Sequence, residues 1–143
     1  MDETIIAKSV YDHLNTWPDK PCAIRLEMMD KAPIAYTMSM QQLSGTRVMR
    51  RYIDGSFKGV WPFAVYVRMS ASDTAKKLNA VSVLESLNQW LMTQPVPQLG
   101  TGRTATQFEM TSLPSIAATY EDGSVDYQAI FQLEYKQRSD FNV

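Results

Sequence analysis

Residues 50–69 read "RRYIDGSFKGVWPFAVYVRM". Whether this stretch is one continuous hairpin or a turn with an irregular return decides the fold. Asp54-Gly55 is a strong short-range turn signal, because glycine accepts the positive φ that tight hairpins require. A two-residue loop would pair Ile53 with Ser56 and so set Arg51 across from Lys58. Like charges directly opposite one another repel. The stretch therefore predicts a longer or bulged loop, or an acidic group lying against the pair. Gly59 and Pro62 weaken the returning strand, since proline cannot donate to the ladder. The expectation is a regular inner strand from Phe63 to Met69, with a twisted hairpin arm projecting beyond it.

Working back toward the N-terminus, "CAIRLEMM" (22–29) and "IAYTMSM" (34–40) both alternate apolar and polar residues, the signature of half-buried strands. The short "DKAP" connection between them suggests a meander pair. Before them, residues 2–16 suit a helix. Ile6, Val10, Leu14 and Trp17 form a stripe at helical spacing, with Asp2 and Glu3 at the end that favours acids and Pro18 and Pro21 beyond it. Ile5 falls roughly opposite the stripe.

Working forward, residues 73–92 form the clearest helix. Ser70 or Ser72 caps it and Asp73 occupies its first turn. Ala80, Val83, Leu84, Leu87, Trp90 and Leu91 make its buried face, while Lys76, Lys77 and Glu85 face water. Pro95 and Pro97 stop it. A Pro/Gly-rich loop, about 93–105, follows; loops of that length are usually functional or flexible. Three further strands are predicted at 106–112, 115–121 and 124–136. In the last, Val125, Tyr127, Ala129, Phe131, Leu133 and Tyr135 alternate with more polar neighbours. Runs of strands without regular helical crossovers define an α+β class, with two helices packed on a largely antiparallel or mixed sheet and a projecting β-hairpin.

The chain has 143 residues, which suits one domain (1–143), and its 14 basic and 15 acidic residues give a formal net charge of −1. That balance excludes the basic excess of a generic nucleic-acid or anionic-membrane binder. No apolar run reaches membrane-spanning length, and "MDETII" lacks the basic start of a secretory signal. A single cysteine, Cys22, forms no internal disulfide and reads as a buried, inert thiol.

Catalytic chemistry is scarce in these residues. His13, the one histidine, lies on the edge of a helical apolar stripe with no nucleophile elbow to serve. One His and one Cys cannot build a structural zinc site, and neither "DETII" nor "EDGSVD" completes a calcium loop. "GTGR" (100–103) follows no predicted strand and opens no helix, so it reads as loop rather than phosphate cradle. The carboxylate pairs Asp2/Glu3 and Glu121/Asp122 sit at turns or helix ends, where solvation and capping explain them. Nine methionines suggest an adaptable core or contact surface. The residues point to no enzyme, no cofactor and no dedicated metal.

What stands out is Arg47, Arg50, Arg51, Lys58 and Arg68, five of the fourteen basic residues, interleaved with aromatics. They form either the solvated face of a hairpin or a protein-contact arm, since arginine and aromatics carry much of the energy in interfaces. The candidate contact residues are Arg50, Arg51, Tyr52, Ile53, Asp54, Phe57, Lys58 and Trp61.

These elements together resemble a family. The acidic "MDETII" entry to a helix, the "RYIDGS" hairpin, the "PFAVYVR" strand, the helix with a late "WL" and the closing "YQAIFQLEY" strand are similar to minor capsid, or tail-terminator (tail-completion), proteins of long-tailed phages and prophages of Gram-positive bacteria. The resemblance implies a small α+β domain, made in the bacterial host cytoplasm and incorporated into the virion tail or neck. It implies a self-assembling ring, commonly a hexamer, that caps the tail tube and contacts tail-tube and neck or head-completion proteins, with no specific nucleic acid or membrane partner. It implies no catalytic residues or cofactor, and an interface role for Arg51–Ser56. Two alternatives stay open: another head–tail connector protein, or a small ligand- or protein-binding α+β module.

Overall fold

The computed structural model describes residues 3–18, 24–26, 36–43, 47–69, 74–93, 95–99, 102–121 and 123–138. The elements run α1 (Glu3–Leu14), β1 (Ile24–Leu26), β2 (Tyr36–Gln42), β3 (Arg47–Arg51), β4 (Phe57–Met69), α2 (Thr74–Thr93), β5 (Arg103–Thr119) and β6 (Val125–Gln137). The strands form one sheet in the order β1-β2-β4-β6-β5, with β3 also paired to β4. The class is α+β, as expected.

The alternation in β4 and β6 places the core. Phe63, Val65 and Val67 of β4 and Ala129, Phe131 and Leu133 of β6 are inaccessible to solvent and join one apolar cluster with both helices. The helices contribute the residues their periodicity announces: Ile6, Val10 and Leu14 from α1, and Ala80, Leu84, Leu87 and Leu91 from α2. Val83 and Trp90 pack at the margin of that cluster. Phe63 stacks on Phe131 with centroids 5.5 Å apart and meets Phe108 edge-on at 6.0 Å. Each fully buried side chain of this size contributes about 1.5–3 kcal/mol of transfer free energy.

Four expectations are corrected. First, β4 is a single strand paired along its whole length with β6, from Phe57↔Gln137 to Met69↔Val125. Gly59 and Pro62 do not interrupt it. The Pro62 carbonyl accepts from the Leu43 N–H at 3.2 Å, on the edge where β2 has ended and β3 has yet to begin. The N–H that proline lacks points to that same seam, so no ladder bond is lost.

Second, β1 and β2 run parallel, with Ile24 level with Met38, rather than as a meander. The end of α1 holds β1 in place. Asn15 Oδ1 accepts from the Ile24 N–H at 3.0 Å, and its Nδ2 donates to the Ile24 carbonyl at 3.2 Å. One amide thus satisfies both backbone groups of an edge residue. Asn15→Ala is expected to lower stability by about 1–3 kcal/mol, because it orphans two partly buried backbone groups; urea unfolding of the two proteins measures it.

Third, the strands expected at 106–112 and 115–121 are one strand, β5. The register against β6 slips at four places, one of them spanning Pro114. An edge strand tolerates proline and bulges because one side of its ladder has no partner to lose. Fourth, the Pro/Gly loop is shorter than expected. Leu99 is buried in the core and β5 already begins at Arg103. Asp2, Pro21, Cys22, Ser70, Ser72, Asp73, Gly100 and Asp122, together with the side chains of Glu3, Ile5, Lys76 and Lys77, lie outside the described residues.

Candidate functional site

β2 and β3 lie along the same edge of β4, β2 beside Phe63–Met69 and β3 beside Phe57–Val60. The last rung is Arg51↔Phe57, and a register shift between Val48 and Arg50 bulges the strand at Met49. A five-residue turn, Tyr52–Ser56, closes the hairpin. Its geometry follows from four residues. The Tyr52 N–H donates to the Ser56 carbonyl at 2.9 Å, and the Gly55 N–H to the Tyr52 carbonyl at 3.0 Å. Gly55 sits at φ +90°, where a side chain would be strained. The Ser56 N–H and hydroxyl both donate to the Asp54 carboxylate, which they hold below the usual carboxylate range. The longer, bulged loop foreseen from charge repulsion is what forms.

Sliding the register by one residue does not disperse the charge. Arg50 faces Lys58, and Lys58 in turn faces Lys136 of β6. Three bases therefore line one rung of the sheet. Glu134 lies against Lys58 at 3.5 Å and also takes a hydrogen bond from Gln107; the Arg51–Lys58 pair for which an acid was foreseen does not form, since Arg51 faces Phe57. Aromatic faces take part of the rest: Lys136 Nζ is 5.2 Å and the Arg50 guanidinium 5.8 Å from the Tyr52 ring centroid, and Arg51 is 5.6 Å from Phe57. A like-charge rung destabilises a sheet, and Glu134 with the Tyr52 ring offsets part of that cost.

The eight candidate contact residues divide. Arg50, Arg51, Tyr52, Ile53 and Asp54 are exposed together at the hairpin end, and Ile53 is as exposed as a free residue, at 108%. Lys58 lines a shallow recess of about 300 Å³ at the foot of the turn with Tyr52, Thr106, Gln107, Glu134 and Lys136. Phe57 and Trp61 are not on an arm. They belong to the helix-facing side of β4, and Trp61 is fully buried beside Phe63, because an unbroken strand keeps odd-numbered residues pointing to the core. Val48 and Met49, which sequence reasoning passed over, join the exposed group at 45% and 55%. The bulge leaves Met49 without a partner on β4, while Val48 is still paired with Gly59. Glu121 lies in the β5–β6 turn, at the opposite end of β4 and β6 from Tyr52–Ser56.

A second cluster was missed. Arg68 donates from Nε to Asp126 Oδ1 at 2.7 Å and from an Nη to Oδ2 at 3.0 Å, while the Tyr120 hydroxyl donates to Oδ2 at 2.6 Å. The Asp126 carboxylate raises the Arg68 pKa further, and its hydrogen bond raises that of Tyr120. Arg68 and Asp126 are cross-strand partners, so correct pairing of β4 with β6 would have exposed the match. A polar concavity of about 420 Å³ lies over them, lined also by Ser39, Gln41 and Tyr66.

The remaining candidates are structural. Arg103 of "GTGR" is buried and donates to Gln137 Oε1 at 3.0 Å. His13 lies between Trp90 and Phe108, with centroids 5.0 and 5.7 Å away, and burial lowers its pKa. The folded state therefore favours the neutral ring. Its contribution is intact above the unfolded value of about 6.5 and is lost as pH falls through that region. His13→Phe is expected to flatten the stability loss between about pH 7 and 5, where no other side chain has its ordinary pKa; urea midpoints across that range measure it. Among the described residues no three of His, Cys, Asp or Glu gather as a metal-ligand set.

No protein-family model and no curated protein matches the sequence. Among solved structures, a chain of the virion of a native gene transfer agent particle aligns over 92% of this chain and 94% of its own, with TM-score 0.63 and 11% identity. A second solved chain aligns over 96% of both, with TM-score 0.55 and 17% identity. At these identities the likeness is one of fold.

Proposed function

We propose that this chain is a structural component of a phage-like virion: a ring-forming tail terminator that caps the tail tube and joins it to the neck and head. The observation that carries the reading is the end-to-end fold match to a chain of a gene transfer agent virion. The hairpin end supports it. A cationic rung only partly offset within the chain and a turn with bare Ile53 suit a contact surface, where arginine and apolar side chains gain energy on burial. On this reading the chain performs no catalysis. Its partners are copies of itself, in a ring such as a hexamer, with the tube protein on one side and neck or head-completion proteins on the other. Its place is the tail or neck of the particle, after synthesis in a bacterial cytoplasm.

Electron microscopy of the purified protein mixed with tail tubes tests this. Rings or caps at tube ends are expected, and Arg50→Glu with Arg51→Glu is expected to abolish them while leaving the circular dichroism spectrum unchanged. Protein that never decorates tubes overturns the reading.

A further inference from the structure

Nine large apolar side chains are exposed among the described residues, and they are not scattered. Leu43, Val48, Met49, Tyr52 and Ile53 lie along the β2–β3 side of the hairpin; Leu113, Ile116 and Tyr120 lie on the far half of β5 and the turn after it. Only Met92 falls elsewhere. The two groups occupy opposite edges of one sheet, since β3 is on the β2 side of β4 while β5 is beyond β6. They cannot meet within one chain.

Their charges are opposite. Residues 48–58 hold Arg50, Arg51 and Lys58 against Asp54 alone, whereas residues 104–121 hold Glu109 and Glu121 and no base of their own, the one base against them at Tyr120 being Arg68, which Asp126 pairs. Neither edge is covered: among the described residues β3 pairs only with β4, and β5 only with β6. Isolated exposed apolar residues are ordinary, but grouped ones flanked by charge mark contact surfaces.

We infer that the hairpin edge of one copy docks on the far half of β5 of the next copy, with Ile53 and Met49 as apolar anchors against Leu113 and Ile116. Two different patches on opposite edges make a head-to-tail contact, the kind that closes into a ring when the rotation permits. The bulges in β5 disturb the regular presentation of its outer N–H and C=O groups, so side chains carry the contact rather than a continued ladder. The inference rests on the self-assembling reading above and gives it a partner surface.

Two variants test it. Ile53→Asp and Ile116→Asp each place a buried charge in one patch only, and both positions are exposed enough in the free chain for folding to be unaffected. By light scattering, each variant alone is expected to be monomeric under conditions where the parent assembles. Mixed in equal amounts they are expected to form a dimer that grows no further, because each supplies the patch the other lacks. Either variant assembling like the parent overturns the contact, as does a mixture that stays monomeric. A parent chain that stays monomeric yet decorates tail tubes also overturns it, while leaving the virion reading in place.

Discussion

Asp126→Ala is expected to destabilise the protein by about 3 kcal/mol, measured as the change in urea-unfolding free energy. The side chains of Arg68 and Asp126 are 18% and 9% exposed, so their charges are largely out of water. Removing the acid leaves the Arg68 guanidinium without the carboxylate that takes two of its hydrogen bonds, and breaking a buried pair from one side costs about 3–5 kcal/mol. The lower end applies because Arg68 is only partly buried and also donates to the Tyr120 hydroxyl, at 2.9 Å. Arg68→Met with Asp126→Leu is expected to recover most of the loss, since replacing both partners strands no charge. A double variant as unstable as the single one would mean that the cluster acts through shape rather than charge. The Tyr120 hydroxyl is fixed by this acid, so Asp126→Ala also loosens the β5–β6 turn beside the proposed docking edge.

Phe63→Ala is expected to cost about 3–5 kcal/mol, the range for truncating a buried aromatic residue. Phe63 is fully buried at the centre of β4, stacked on Phe131, edge-on to Phe108 and 5.4 Å from Trp61. Strands flank it on both sides and helices cover it, so the surroundings cannot collapse into the space. Against a total stability of about 5–15 kcal/mol, such a loss threatens folding at growth temperature. Phe63→Leu keeps most of the volume and is expected to be markedly milder. Equal effects of the two substitutions would place Phe63 at a looser site than its packing describes.

The helices and the closing strand were legible because each carries its full signal locally. The α2 stripe Ala80, Leu84, Leu87, Leu91 and the alternation of β6 are written at their own spacing, and the packing follows them. β4 and β5 were misjudged for one reason. Pro62, Gly59 and Pro114 weaken a strand on average, but the effect of a proline depends on whether its missing N–H faced a partner. That is a property of the neighbouring strands: β2 and β3 leave a seam beside Pro62, and β5 has no outer neighbour among the described residues. The direction of β1 was hidden likewise, because the Asn15 amide that holds it comes from nine residues away.

The candidate site was half legible. Cationic and aromatic richness near residue 51 is visible to any reader of the sequence, as is the turn at Asp54-Gly55. That Trp61 belongs to the core, that a bulge leaves Met49 without a partner on β4, and that Lys136 extends the basic rung from a strand eighty residues downstream all depend on register. Composition and periodicity by themselves determined two helices and an α+β class, because burial of apolar surface is a local decision repeated at fixed spacing. Which edges stay open and which charges meet was decided only when the strands paired, since pairing joins distant segments and a shift of one residue exchanges every inward side chain for an outward one.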